Sequence, residues 1–101
     1  MRGEKFKELN ADFWEKFDFS DGKVIYSEII IGEDMLQIEY PQNFLLDIGY
    51  YGDNKFRAMI IHDNNWQSPV SVYSCKNIDN LHKVTAVALQ KIRNCLCMGE
   101  N

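Results

Sequence analysis

A chain of 101 residues supports one domain built around one hydrophobic core. Because 46% of the residues are hydrophobic and 13% are aromatic, the composition excludes an intrinsically disordered chain. No apolar stretch approaches the roughly 20 residues that a membrane-spanning helix needs.

The N-terminal segment predicts a helix over residues 4–18, because apolar side chains recur there at spacings of three and four. Asp18 to Gly22 form a turn cluster that would end this helix. The segment lacks the apolar region and small-residue cleavage site of a secretory signal, so we expect a cytoplasmic protein. The apolar stripe consists of Phe6, Leu9, Phe13 and Phe17, with Trp14 at its edge.

Four short apolar-rich segments follow and predict an antiparallel meander with strands over residues 23–31, 35–40, 44–51 and 55–62. Turn residues separate them, and Pro41 ends the second strand. Alternation places Ile25, Ile29 and Ile31 on a face that packs against helices. The opposite, half-polar face carries Tyr26, Glu28, Gln37, Glu39, Asp47, Tyr51 and Arg57.

The C-terminal part predicts a loop over residues 63–68, a short fifth strand over residues 70–73 and a final helix. Asn77 or Asp79 can cap this helix, which we expect to end near Cys97. Trp66 in the loop either covers the edge of the core or is an exposed binding anchor. The predicted fold is therefore a single α+β domain: a four- to five-stranded antiparallel meander with an N-terminal and a C-terminal helix packed on one face.

Charge is distributed unevenly along the chain. Residues 8–53 contain eleven acidic and two basic side chains, a net charge of −9, whereas residues 64–101 carry +2. An acidic field of this kind repels nucleic acid and anionic membranes and favours a basic protein partner. The alternative is that the acidic residues only keep the surface soluble.

The sequence contains no recognisable catalytic or metal-binding motif. His62 and Asp63 are neighbours, but consecutive strand residues point to opposite faces, which would separate a base from its orienting acid. The three cysteines, Cys75, Cys95 and Cys97, have neither disulfide nor zinc spacing and predict reduced thiols. We therefore expect no catalytic residue, no metal and no cofactor.

The acidic half-polar face instead suggests a surface for protein–protein contact. Its carboxylates can pair with lysine or arginine side chains of a partner, and its tyrosines can supply apolar contact. The candidate partner-binding residues are Tyr26, Glu28, Glu33, Asp34, Glu39, Asp47, Tyr51, Asp53 and Trp66.

One stretch of the chain resembles a known class of proteins. LDIGYYGDNKFRAMIIHDNNWQSPV, followed by the helix from Asn77, resembles the strand, hairpin, strand, Trp-loop and helix pattern of small immunity proteins from contact-dependent growth inhibition (polymorphic toxin) systems. The resemblance implies a bacterial, cytoplasmic protein that is a monomer when free. It also implies that the protein binds the basic, nuclease-type C-terminal domain of its cognate toxin and occludes the active site.

Two other functions remain open at this stage. The chain could be a small adaptor or secretion chaperone that binds a partner through apolar surface. It could also be a small enzyme that uses His62 or the carboxylates Glu28, Glu39 and Asp47, two of which would have to act as a glycosidase-like pair.

Overall fold

A five-stranded antiparallel sheet and one long helix make up most of the computed structural model, which describes residues 8–99. The strands follow one another across the sheet in chain order, as in a meander. The elements are β1 (Lys23–Ser27), β2 (Leu36–Tyr40), β3 (Phe44–Tyr51), β4 (Lys55–His62), β5 (Ser71–Cys75) and α1 (Ile78–Gly99).

The strands predicted over residues 44–51 and 55–62 are confirmed, and each begins and ends where it was predicted. They form the central hairpin, β3 and β4. Apolar residues at alternate positions point toward α1, and their partners across the hairpin share that face, as in the pair Ile48 and Ala58. Asn54, which ends the connecting turn, has a φ of 63°, a conformation that asparagine tolerates better than most residues.

The predicted first strand is too long. β1 ends at Ser27, and Ile30 pairs instead with Glu8 in an isolated bridge. Val24 lies opposite Ile38 and Tyr26 lies opposite Gln37, so Ile25 is an extra residue that forms a β-bulge. The bulge leaves Ile25 exposed at the rim of the sheet, so its predicted place on the core face is wrong.

Helix α1 packs on one face of the sheet, mainly against β4 and β5. Asn77 is its N-cap, because its side-chain oxygen accepts a hydrogen bond from the backbone N–H of Asn80 at 2.8 Å. Leu81, Thr85 and Ile92 lie on its fully buried side. Among residues 8–99, no helix is long and apolar enough to cross a membrane.

The predicted N-terminal helix is wrong over the described part of the chain; Phe6 and the other residues before Glu8 lie outside it. Only a single 3-10 turn forms, at Phe13–Lys16. The backbone N–H of Leu9 donates to the carbonyl of Ile29 at 2.7 Å, and the Trp14 indole N–H donates to the carbonyl of Glu28 at 2.9 Å. These two hydrogen bonds attach the N-terminal segment to the segment after β1. In a regular helix the Leu9 N–H would instead donate to a carbonyl four residues earlier in the chain.

The apolar stripe nevertheless reaches the core as the sequence indicates. Leu9, Phe13 and Trp14 are buried, and the rings of Phe13 and Trp14 meet edge to face with centroids 4.8 Å apart. The Phe17 ring lies 4.7 Å from that of His82 on α1. These contacts close one side of the core and leave the opposite face of the sheet without a covering helix.

Candidate functional site

The sheet face that points away from α1, here called the open face, contains four of the nine candidate residues, Tyr26, Glu39, Asp47 and Tyr51. Cross-strand register places Tyr26 opposite Gln37, Gln37 opposite Asp47, and Asp47 opposite Met59. This row crosses the middle of the sheet, so Tyr26 and Asp47 share the face that their alternation predicts.

Asp47 lies at the centre of the open face but is only 2% exposed. The Gln37 side-chain amide donates to Oδ1 of Asp47 at 2.8 Å, and the Tyr51 hydroxyl donates to Oδ2 at 3.1 Å. Burial raises the pKa of the Asp47 carboxyl, and the two hydrogen bonds partly oppose that effect. Asp47 therefore holds neighbouring side chains together, and its buried carboxylate is not placed to pair with a partner.

The segment between β1 and β2 covers part of the open face beside Asp47. The Tyr50 N–H donates to the carbonyl of Gly32 at 2.8 Å, and the Met35 N–H donates to the carbonyl of Ile48 at 2.9 Å. These bonds hold the segment along β3 and bring Asp34 close enough for its charge to raise the pKa of both Asp47 and Tyr51.

Tyr51 links this buried cluster to the rim of the face. Burial first, and the neighbouring Asp47 second, raise the pKa of the Tyr51 phenol to about 12. The Arg57 guanidinium carbon lies 5.1 Å from the centre of the Tyr51 ring. Arg57 also forms an ion pair with Asp53, so the Asp53 carboxylate already has a basic partner within the chain.

A shallow depression of about 430 Å³ lies at one end of β1 and is lined by three of the six candidate carboxylates. The carboxylates of Glu28, Glu33 and Asp34 are exposed around it, and within residues 8–99 none of them forms an ion pair. Tyr26 and Ile30 add exposed apolar surface to the same depression. Exposed carboxylates and exposed apolar side chains, both of which suit contact with a basic partner, are thus adjacent.

A second depression, of about 340 Å³, lies toward the other end of β1. The exposed Glu39 lines it together with Ile25, Leu45 and the amide side chain of Asn64. Lys23 lies opposite Glu39 across the β1–β2 pair and partly offsets its charge.

Trp66 is 46% exposed in the loop between β4 and β5, so it is not the buried cap of the core that one interpretation predicts. Its backbone N–H donates to the carbonyl of Asn64 at 3.1 Å. Trp66 does not line either depression, whereas Asn64, to which it is bonded, lines the second one.

The geometry of His62 and Asp63 differs from the sequence expectation. Asp63 follows the end of β4 with a φ of 56°, which brings its carboxylate within 3.6 Å of Nδ1 of His62. Nε2 of His62 lies 3.0 Å from the carbonyl oxygen of Gln42, and its ring stacks on Phe44 with centroids 4.2 Å apart. The imidazole therefore ties β4 to the turn before β3. Within the described part of the chain, no group of histidine, cysteine and acidic residues could hold a metal ion.

Sequence reasoning did not single out two members of this site. Gln37 is the donor that fixes Asp47, and its alternation onto the same sheet face as Asp47 was the available signal. Ile25 lines the second depression only because of the bulge, which strict alternation cannot reveal. Comparison of the chain with protein-family models, with known proteins and with solved structures finds no match.

Proposed function

We propose that this protein is a bacterial immunity protein that binds the basic, nuclease-type domain of a cognate toxin in the cytoplasm and occludes its active site. The observation that carries the proposal is the grouping of Glu28, Glu33 and Asp34 around the exposed side chains of Tyr26 and Ile30. The free protein is a monomer on this proposal, and it needs no cofactor.

Electrostatics explains how such a surface would recognise its partner. A nuclease domain holds phosphates with lysine and arginine side chains, so its active-site surface is basic. Carboxylates that form no ion pair within residues 8–99 attract that surface over several ångströms and speed the encounter. Tyr26 and Ile30 then provide the apolar contact that a lasting complex needs at its centre.

The buried network behind this surface supports recognition by a rigid shape. Gln37 and Tyr51 both donate hydrogen bonds to Asp47, and the carbonyl of Gly32 accepts a hydrogen bond from Tyr50 of β3. A surface that is ordered before binding loses less conformational entropy in the complex. The role proposed for Asp47 is therefore to support the surface from beneath, while the exposed carboxylates make the contacts.

A growth assay tests the function directly. The toxin domain encoded beside this gene is expressed from an inducible promoter in a sensitive bacterial host, with and without this protein. We expect arrest without the protein and growth with it, together with a complex of the two that survives gel filtration. Continued arrest in the presence of folded protein would contradict the proposal.

A second candidate function is supported by exposed apolar side chains toward the β5 edge of the sheet. Val72 on β5 is 51% exposed and Trp66 is 46% exposed, which suits an adaptor or secretion chaperone that binds through apolar contact. Salt separates the two functions, because it screens attraction between charges and leaves apolar docking largely unchanged. A partner that binds equally fast at low and high salt would favour the adaptor.

A further inference from the structure

Within residues 8–99, the outer edge of β1 is not covered by another strand. β1 is the first strand of the sheet. All five of its residues are exposed, including Val24 at 43%, Ile25 at 45% and Tyr26 at 41%. Such an edge presents unpaired backbone N–H and C=O groups to any extended chain that approaches it.

The opposite edge strand of the sheet, β5, packs against a further element. β5 packs against α1, whereas the only described element that packs extensively against β1 is β2. Natural edge strands are usually protected by charges, proline or a bulge. β1 has one lysine at its start and the bulge at Ile25, and its three central residues are apolar or aromatic.

The bulge at Ile25 adds selectivity to this edge. A bulge redirects a side chain, and here Ile25 lines the depression that contains Glu39, while Tyr26 lines the one that contains Glu28, Glu33 and Asp34. An exposed apolar side chain of β1 therefore borders a carboxylate-lined depression on each side of the bulge.

We propose that the edge of β1 binds an extended, basic segment of the partner protein, which adds to the sheet as a sixth strand. Backbone hydrogen bonds to β1 would supply affinity, and lysine or arginine side chains in the two depressions would supply specificity. The inference deepens the proposed function and rests on it for the identity of the partner as a toxin domain.

The register of the sheet sets the spacing of the basic side chains. Glu39 lies opposite Lys23, and the backbone N–H of Glu28 donates to the carbonyl of Met35 at 2.8 Å. Glu39 and Met35 are separated by roughly four residues of strand, or about 13 Å. The added strand therefore carries two basic residues four positions apart, which point to the same face because strand side chains alternate. The basic residue nearest Glu39 shares that carboxylate with Lys23 of β1.

Charge complementarity favours this occupant over a second copy of the chain. Two copies joined at their β1 edges would offer these carboxylates a single basic residue of β1, Lys23, together with the like charges of the second copy's own Glu28 and Glu39. Like charges placed opposite one another across strands destabilise the pairing. A basic strand meets the same carboxylates with opposite charge.

Synthetic peptides test the inference without the natural partner. The first probe is a short peptide of threonine and valine with two lysines four positions apart. The second replaces both lysines by glutamate. The third keeps the lysines and carries N-methyl groups on the amides that would face β1, which removes its donors to the strand. Binding is measured by titration, and hydrogen exchange reports protection of the amides of residues 23–27.

We expect the lysine peptide to bind and to slow exchange in β1, and the other two peptides to bind at least roughly tenfold more weakly, since both attraction and edge pairing contribute. Ile25→Lys should reduce binding of the lysine peptide by a similar factor. Val72→Lys is the matched control on the opposite edge strand and should leave binding unchanged. Both positions are exposed, so both variants should keep the thermal midpoint of the wild type.

Three results would overturn the inference: equal binding of the N-methylated peptide, unchanged exchange in β1, or dimerisation of the protein that protects β1 without peptide. The growth assay separates this inference from the proposed function. If Ile25→Lys loses the peptide but still protects cells fully, the edge-strand inference fails and the immunity function stands. If the wild type binds the peptide but does not relieve arrest, the immunity function fails and the edge-strand inference stands.

Discussion

The carbonyl oxygen of Glu33 occupies the place where a side chain at Gly49 would begin. A Cβ atom on Gly49 would lie 1.9 Å from that oxygen and 2.7 Å from the carbonyl carbon of Glu33. The segment between β1 and β2 can therefore rest directly on β3 only because residue 49 is glycine. This contact positions Glu33 and Asp34 beside the open face.

Gly49→Ala should destabilise the protein by about 3 kcal/mol or more, at the upper end of overpacking costs, because the obstructing atoms belong to the backbone and cannot rotate away. Urea unfolding measures the change in the free energy of unfolding. Gly52→Ala is the matched control, since nothing lies within 4 Å of the added Cβ and its φ is not positive. The control should change stability by less than about 0.5 kcal/mol, and an equal loss in both variants would contradict the role of the close contact.

Tyr51→Phe should cost about 1–3 kcal/mol at neutral pH, because it removes a hydrogen bond to a buried carboxylate and leaves one oxygen of Asp47 without its donor. Tyr26→Phe is the control: Tyr26 lies on the same face, is exposed, and its hydroxyl forms no hydrogen bond within the described residues. That variant should be neutral within about 0.5 kcal/mol. Thermal unfolding of both variants at one pH makes the comparison.

Asp47 should also make stability depend on pH. Its pKa is raised above 3.8 in the folded state, so between that value and the folded pKa the folded protein holds a proton that the unfolded chain releases. The contribution of Asp47 to the free energy of unfolding therefore falls as pH rises through this window. Asp47→Asn keeps an acceptor for Gln37 and should remove this slope, so its stability relative to the wild type should increase with pH.

The N-cap of α1 gives a prediction that concerns the fold alone. Asn77→Ala should lower the free energy of unfolding by about 1 kcal/mol, because the first turn of α1 loses the side-chain acceptor for the Asn80 N–H. Asn80→Ala changes the same residue type one turn later and should cost less, since only the backbone of Asn80 takes part in the cap. Equal losses would show that Asn77 does not act as the cap.

Local patterning was enough to predict the centre of this fold. β3 and β4 combine strict alternation with a turn of glycine, aspartate and asparagine, and each signal supports the same hairpin. Short polar residues before the helical apolar stripe indicated Asn77 or Asp79 as the cap of α1, and the structure shows that Asn77 is the cap. In these elements the deciding interactions lie within a few residues of one another along the chain.

The errors concern contacts between distant segments. The spacing of Leu9, Phe13 and Phe17 suits a helix, but the same spacing also suits a chain that docks through separate side chains, and bonds to residues 28 and 29 decide the outcome. The burial of Asp47 depends on Gln37 and Tyr51, which come from two strands, and on the segment that rests on Gly49. Alternation correctly predicted that Tyr26 lies on the open face. Which residues of that face are exposed could be seen only once the fold was known.

The central claim is that exposed carboxylates beside β1 steer a basic toxin domain onto this protein. Two matched variants separate that claim from the effect of overall charge. One combines Glu28→Gln, Glu33→Gln and Asp34→Asn; the other combines Asp12→Asn, Glu15→Gln and Asp18→Asn at exposed positions in the N-terminal segment. Each removes three negative charges.

The decisive measurement is the association rate constant of each protein with the toxin domain encoded beside its gene, determined by stopped flow over a range of salt concentrations. The wild-type rate should fall steeply as salt rises, and at low salt the variant at Glu28, Glu33 and Asp34 should associate roughly tenfold more slowly. The N-terminal variant should stay within about threefold of the wild type, because its charges lie outside the contact surface. Equal rates for the two variants at low salt, or a wild-type rate that salt does not change, would contradict the claim.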